Sequence, residues 1–146
     1  MSGENQPGKG WTIRAGTRAD VPAALALWRD AGGRPSRTDD EGSVATLLAR
    51  DREALFVAEA DGELVGTLIA GWDGWRGSFY RLAVAPAWRR RGLATALVRA
   101  GERRLVALGA VRLTAIVAEE EPGAAEFWAA VGYERQAATA RFVHNE

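Results

Sequence analysis

Residues 84–95 decide the fold, and they read VAPAWRRRGLAT. An apolar run typical of a strand stops at Pro86, and a helical pattern begins at Leu93. Between them lies a turn with three arginines and Gly92. The first amides of a helix lack intrahelical acceptors, and glycine lets a ligand approach the backbone closely. This order is typical of a pyrophosphate cradle; the alternative is a solvated arginine cluster beside an ordinary helix start.

The elements on either side of this stretch alternate between strand and helix. Upstream, the apolar pattern predicts strands over 11–15, 55–60, 64–72 and 79–84, a helix ending near Ala31 and a short helix ending near Asp51. Asp61 and Gly62 predict a tight hairpin turn between two of these strands. Downstream we expect a helix over 93–108, a central strand over 111–117, a helix over 124–131 and a last strand over 138–144. The strand over 111–117 should run parallel to its neighbour, because a helix links the two. The sequence therefore predicts a mixed α+β (mixed α/β) domain around one sheet.

Composition excludes several chemistries. The chain has 146 residues, enough for one domain with its own core. It has no cysteine, which excludes disulfide scaffolds, thiolate metal sites and cysteine nucleophiles. The one histidine, His144, stands two residues from the end, so neither a histidine metal site nor a Ser-His-Asp triad is expected. We therefore predict no metal.

The net charge and the hydropathy pattern disfavour nucleic acid and membranes as binding partners. Nineteen basic residues balance nineteen acidic ones, which disfavours a nucleic-acid or membrane-surface binder. An RNA-binding domain using the three arginines of the turn stays open as a rival. No apolar run is long enough to span a membrane, and residues 1–10 are predicted to be a flexible tail rather than a signal peptide. We therefore expect a cytoplasmic protein with a single domain over 11–146.

The turn also resembles a known signature. Arg89-x-x-Gly92-x-Ala94 is similar to the Q/R-x-x-G-x-G/A acetyl-CoA signature of the GNAT N-acetyltransferase superfamily. The resemblance extends over about residues 11–143 through three further motifs: Ile13-Arg14-x-x-Thr17-x-x-Asp20, Leu82-Ala83-Val84-x-Pro86 and Phe127-Trp128-x-x-x-Gly132-Tyr133. It implies the GNAT fold: a mixed, mostly antiparallel sheet of about six to seven strands, about four flanking helices, and a splayed strand pair that holds acetyl-CoA.

The resemblance assigns the residues that bind this co-substrate. The strand before the turn would line the pantetheine arm, and the turn with the helix start would hold the pyrophosphate. The expected binding residues are Leu82, Ala83, Val84, Arg89, Arg90, Arg91, Gly92, Leu93, Ala94 and Thr95. The backbone amide of Val84 would polarise the thioester carbonyl.

The resemblance leaves the catalytic residues open. In GNAT enzymes a tyrosine commonly protonates the leaving thiolate, and this sequence has Trp128 at that position. Tyr80, on the strand before the turn, is a candidate hydrogen-bond donor or acid, since phenols titrate well above neutral pH; the alternative is strand packing. Glu119 and Glu121 are candidates for a base or for attracting a cationic acceptor; the alternative is a solvated acidic turn. Asp73 and Arg76 are candidate acceptor-binding residues; the alternative is a surface hairpin loop.

The resemblance implies an acyltransferase that moves acetyl from acetyl-CoA directly to a primary amine of a small molecule or of a peptide or protein N-terminus. The alternative is a non-catalytic acyl-CoA-binding sensor or regulatory module with the same fold, which the tryptophan at position 128 favours. A homodimer is compatible with either, since many members of the family dimerise.

Overall fold

The structure is a computed structural model that describes residues 4–5, 10–31, 34–118 and 121–146. Glu119 lies outside the described residues, as does most of the predicted tail over 1–10. The chain divides into two compact units, Met1–Ile116 and Val117–Glu146, which are described separately. The prediction of a single domain over 11–146 stays a prediction.

The first unit holds one sheet and three helices. Its strands lie in the order β1-β2-β3-β4-β5-β6, and only β5 and β6 run parallel. The strands are β1 (Glu4–Asn5), β2 (Thr12–Ala15), β3 (Leu55–Ala60), β4 (Glu63–Trp72), β5 (Gly77–Val84) and β6 (Leu113–Ala115). The helices are α1 (Val21–Asp30), α2 (Glu41–Arg50) and α3 (Leu93–Leu108), with short 3-10 turns at Arg18–Asp20 and Pro86–Trp88.

Helices cover both faces of this sheet. On one face, buried side chains of α1 and α2, among them Leu25 and Trp28, pack with Val57 and Ile69 from the strands. On the other face, α3 buries Leu93, Leu97, Val98 and Leu105. The helix approaches so closely at Gly101 that a Cβ there would lie 2.8 Å from a ring carbon of Phe79. The amphipathic pattern of α3 therefore places the helix start, which carries the arginine turn, beside the end of β5.

The second unit contains α4 (Ala124–Ala130). Phe127 and Tyr133 both meet the ring of Trp128 edge to face, with centroids 5.4 and 5.1 Å apart. Trp128 is thus part of a small aromatic cluster within its own unit.

The predicted mixed α+β fold is confirmed, with six strands (five without the two-residue β1) and four helices in the described residues. The hairpin at Asp61 and Gly62 and the parallel pairing of the strand after α3 are confirmed as well. No helix of the described residues is both long and apolar enough to cross a membrane.

Two strand predictions were wrong. The strand expected over 111–117 spans only 113–115 and lies at the edge of the described sheet rather than at its centre, with Val111 97% exposed. The strand expected over 138–144 is irregular, and its side chains are exposed. A strand needs a neighbouring strand that hydrogen-bonds with its backbone groups. No described strand pairs with this segment.

Candidate functional site

β5 and β6 separate after a short pairing. Residues 77–79 of β5 pair with residues 113–115 of β6, but β5 continues to Val84. In the described residues β6 ends at Ala115, so residues 80–84, here called the open stretch, have no strand paired to them on that edge, and the unpaired space beside them is here called the gap. Such a gap exposes backbone amides and carbonyls that an amide-bearing ligand can satisfy.

A β-bulge lies inside the open stretch. Between the pairs Thr67–Ala83 and Ile69–Tyr80, β5 has two residues where β4 has one. Arg81, the first of the two, has a φ of +53°, which is uncommon for a residue with a side chain. The bulge thus places local backbone strain next to the gap.

The bulge reverses which edge each backbone amide of β5 faces. The amide of Gly77 donates towards β6, to the carbonyl of Arg112 at 3.1 Å. Strict alternation from there would turn the amide of Val84 towards β4. Instead the amide of Ala85 donates to Val65 of β4 at 2.8 Å, so that of Val84 faces the gap. The amide expected to polarise a thioester carbonyl therefore lies on the open side of the strand.

Buried side chains hold the bulge from β4 and α1. The hydroxyl of Thr67, which has no exposed surface, donates to the carbonyl of Arg81 at 2.8 Å. The same oxygen accepts from the indole of Trp28 at 2.8 Å. This chain of two hydrogen bonds connects the core of the helix face to the open stretch.

The helix start beyond the strand provides unpaired donors. Gly92, the N-cap of α3, has a φ of +86°, a backbone conformation that favours glycine. The first bond of the helix runs from the amide of Ala96 to Gly92, so the amides of the three residues between them lack helical acceptors. No side chain caps this end. Leu93, Ala94 and Thr95 therefore present amides at the positive end of the helix dipole, where an anion is stabilised.

The three arginines of the turn have different surroundings. Arg90 is exposed and has a φ of +64°. The guanidinium of Arg91 stacks over Trp88, 4.6 Å from the ring centroid. Arg89 instead donates to the carbonyls of Val84 and Ala31, both at 3.2 Å. The signature arginine thus ties the end of β5 to the end of α1 while staying exposed, and its role in binding the co-substrate stays a prediction.

The remaining strand candidates lie along the open stretch. Leu82, Ala83 and Val84 are half-buried. Tyr80 is 45% exposed, and Gly71 on β4 leaves room beside its ring, since a Cβ there would lie 3.6 Å from it. Tyr80 is the first residue of the open stretch, directly after the part of β5 that pairs with β6.

Asp73 and Arg76 lie in the hairpin between β4 and β5. The Asp73 carboxylate accepts from the backbone amides of Arg76 and Trp75 at 2.7 and 2.8 Å. These hydrogen bonds lower the pKa of that carboxyl group. The guanidinium of Arg76 stacks on the ring of Trp75 at 4.2 Å. Both residues have local turn partners, and an acceptor role for them stays a prediction.

The acidic candidates belong to the other unit. Glu121 is half-buried at the turn before α4, where its amide donates to Ala118 at 3.1 Å. No described group of three or more histidine, cysteine, aspartate or glutamate residues could hold a metal ion.

The sequence reasoning missed the residues that hold the bulge. Thr67 is the one polar side chain in the apolar run 64–70, and that isolated hydroxyl was a usable signal. Arg81 is the one charged residue between Phe79 and Val84. The hydroxyl of Thr67 that bonds Arg81 is also held by Trp28, which lies 39 residues before Thr67, and no local sequence pattern reveals that contact.

Comparison with known proteins places this geometry in a family. The profile of the Acetyltransferase (GNAT) family matches residues 15–133. An acetyltransferase of Photorhabdus laumondii is 37% identical over 108 residues, covering 74% of this chain and 76% of that protein.

Solved structures share the fold. AAC(6')-Iy, an aminoglycoside N-acetyltransferase solved with the bisubstrate analogue CoA-S-monomethyl-acetylneamine, superposes with a TM-score of 0.71 at 20% identity, covering 93% of this chain and 98% of that one. The ribosomal-protein-S18-alanine N-acetyltransferase of Escherichia coli gives a TM-score of 0.67 at 22% identity, covering 84% and 76%. With the family profile spanning most of the sequence and its relatives bacterial acetyltransferases, the chain belongs to the Acetyltransferase (GNAT) family and is an acyltransferase.

Proposed function

We propose that this protein transfers acetyl from acetyl-CoA directly to a primary amine. One observation carries the proposal: the open stretch of β5 is followed, after the 3-10 turn and the three arginines, by the uncapped N-terminus of α3. An extended amide-bearing arm fits the first, and a pyrophosphate fits the second. A single ligand with both parts would span them.

The residues present fit acetyl-CoA. The amides of Gly92, Leu93, Ala94 and Thr95 would bind the pyrophosphate, and Arg90 and Arg91 would add positive charge. Arg89 would hold the carbonyl of Val84 in place. The amide of Val84, turned towards the gap, would stabilise negative charge on the thioester oxygen.

The reaction needs a neutral amine beside that thioester. The amine nitrogen attacks the carbonyl carbon, the carbon–sulfur bond breaks, and the amine gives up a proton while the thiolate leaves. Tyr80 would offer a hydrogen bond at the edge of the gap. Glu119 and Glu121 are the proposed proton acceptors, or they attract a cationic acceptor.

The acceptor class is a small-molecule amine or a peptide or protein N-terminus. The two solved structures illustrate both classes. One is an aminoglycoside N-acetyltransferase, and the other is the ribosomal-protein-S18-alanine N-acetyltransferase. Zero net charge supports a partner other than nucleic acid or membrane. A homodimer is compatible with this proposal, and light scattering measures it directly.

Calorimetric titration of acetyl-CoA tests the binding step. Gly92→Glu introduces a carboxylate at the helix N-terminus, so we expect it to abolish the micromolar binding of the wild type. Gly62→Glu is the matched control, because Gly62 also has a positive φ and an open surround but lies in the hairpin between β3 and β4. Wild-type protein that binds no acetyl-CoA would refute the proposal.

Release of thiol from acetyl-CoA tests the transfer step. The chain has no cysteine, so a thiol reagent such as Ellman's reagent reports coenzyme A without background from the protein. We expect turnover with at least one of an aminoglycoside, a polyamine and an alanine-terminated peptide. Tight binding without turnover on any amine would favour the sensor alternative, which Trp128 at the usual position of the acid supports.

A further inference from the structure

An ion pair with two hydrogen bonds links the bulge of β5 to the loop between α1 and α2. The guanidinium of Arg81 donates to both carboxylate oxygens of Asp39, through Nε at 2.9 Å and through Nη2. Nη2 also donates to the carbonyl of Arg34 at 3.0 Å. Both charged side chains are about four-fifths buried, with relative exposures of 20% and 19%. Paired donors on a carboxylate fix orientation as well as distance.

The loop is folded around the same carboxylate. The amide of Ser36 donates to Asp39 at 3.0 Å, and the amide of Asp39 donates back to the carbonyl of Ser36 at 3.0 Å. The other side chains over 34–38 are exposed. Asp39 and Arg81 therefore attach residues 34–39, here called the α1–α2 loop, to the sheet.

This attachment brackets the open stretch. Arg81 lies at its near end, one residue after Tyr80, and Arg89 ties the far end at Val84 to the carbonyl of Ala31. The guanidinium of Arg81 also lies 5.6 Å from the ring centroid of Trp28, the residue that holds the bulge. Arg81 therefore connects the α1–α2 loop to the near end of the open stretch, and Arg89 connects the end of α1 to its far end.

The backbone at Arg81 makes this arrangement unusual. A positive φ is unfavourable for an arginine relative to ordinary backbone. Asparagine or glycine would relieve that strain, so the position holds arginine despite its conformation. The guanidinium is the part of arginine that those residues lack, and it contacts the α1–α2 loop.

We propose that Arg81 and Asp39 are positioning residues that hold the α1–α2 loop beside the open stretch as a wall of the acceptor site. Through them the loop sets how the amine meets the thioester, without contact between either side chain and the reacting atoms. This inference rests on the proposed acetyl transfer.

Steady-state kinetics of Asp39→Asn and Arg81→Asn test it, using an amine that the wild type acetylates. Asparagine tolerates the positive φ, so Arg81→Asn removes the guanidinium without adding strain. We expect each variant to lose about ten- to a hundredfold in kcat/KM for the amine, because small misplacements of a reactant are costly. The Kd for acetyl-CoA should stay at the wild-type value. The double variant should lose no more than either single one, since the two side chains act as a unit.

Two further measurements separate positioning from general damage. Arg37 is a trypsin site within the loop, and cleavage after it should become faster in both variants. Glu102→Gln, which breaks the exposed pair of Glu102 with Arg99 on α3, should change neither cleavage nor kinetics.

The possible outcomes distinguish failure of the proposed acetyl transfer from failure of this inference. Wild-type protein that acetylates no amine overturns the proposed transfer and this inference with it. Active wild type whose kcat/KM is unchanged in Asp39→Asn and Arg81→Asn overturns the inference alone. Additive losses in the double variant, or an equal loss of acetyl-CoA affinity, also overturn it.

Discussion

Thr67→Val should separate the bulge of β5 from its buried support. Valine keeps the shape of threonine but removes a hydroxyl that is fully buried and bonded at 2.8 Å on both sides. The indole of Trp28 and the carbonyl of Arg81 would each lose a partner. An unsatisfied buried group costs about 1–3 kcal/mol. Because the carbonyl is only partly buried, we expect a total loss of about 2–4 kcal/mol in the free energy of unfolding.

Urea denaturation followed by far-ultraviolet circular dichroism measures this loss. Thr67→Ser is the control, since serine keeps the hydroxyl and removes only a methyl group, at about 0.8 kcal/mol. We also expect Thr67→Val to weaken acetyl-CoA binding about tenfold, which is the effect of losing one hydrogen bond. That loss would follow from the amide of Val84 no longer being held towards the gap.

Two results would refute this reasoning. If Thr67→Val and Thr67→Ser are equally stable, the two hydrogen bonds of the hydroxyl contribute nothing measurable. If Thr67→Val is destabilised but binds acetyl-CoA as the wild type does, the bulge does not depend on this support.

Three other predictions concern separate parts of the fold. Gly92→Ala should cost about 1 kcal/mol in stability and weaken acetyl-CoA binding, whereas Gly62→Ala should cost the same and leave binding unchanged, as urea unfolding and calorimetry would show. Gly101→Ala should destabilise by about 1–3 kcal/mol in urea unfolding, because its Cβ would lie 2.8 Å from a buried ring. Arg14, by hydrogen bonding, lowers the pKa of Asp20. Asp20 thus adds stability above about pH 4 that is lost as pH falls through the lowered pKa, so in urea unfolding Asp20→Asn should destabilise by about 1–3 kcal/mol at pH 7 and by less at pH 3.

Elements determined by local chemistry could be predicted from the sequence. Asp61 and Gly62 both adopt positive φ in the hairpin, as an Asp-Gly pair between two apolar runs requires. The apolar positions of α3 lie on one buried face, and Gly109 ends the helix at a φ of +113°. In each case residues within one or two turns decide the conformation.

Features that depend on distant partners could not be predicted. Nothing in the sequence around Arg81 indicates a left-handed backbone, because the bulge is held by side chains from β4 and α1. The motif marked Arg89 as a binding residue, which stays a prediction, but it could not indicate the hydrogen bond to the carbonyl of Ala31, whose position depends on where α1 ends. The strand expected over 138–144 is absent from the structure, since pairing needs a neighbouring strand as well as a suitable sequence.

The replacement of the usual tyrosine by Trp128 weighs less against transfer than it first suggests. A thiol titrates at about 8.5, so a thiolate leaves near neutral pH with little help from an acid. An alkyl amine of a small molecule titrates at about 10.4, against about 8 for a peptide N-terminus, so for an alkyl amine deprotonation is the costlier step. The chemistry therefore demands a base more than an acid, and it directs the search for one to Glu119 and Glu121.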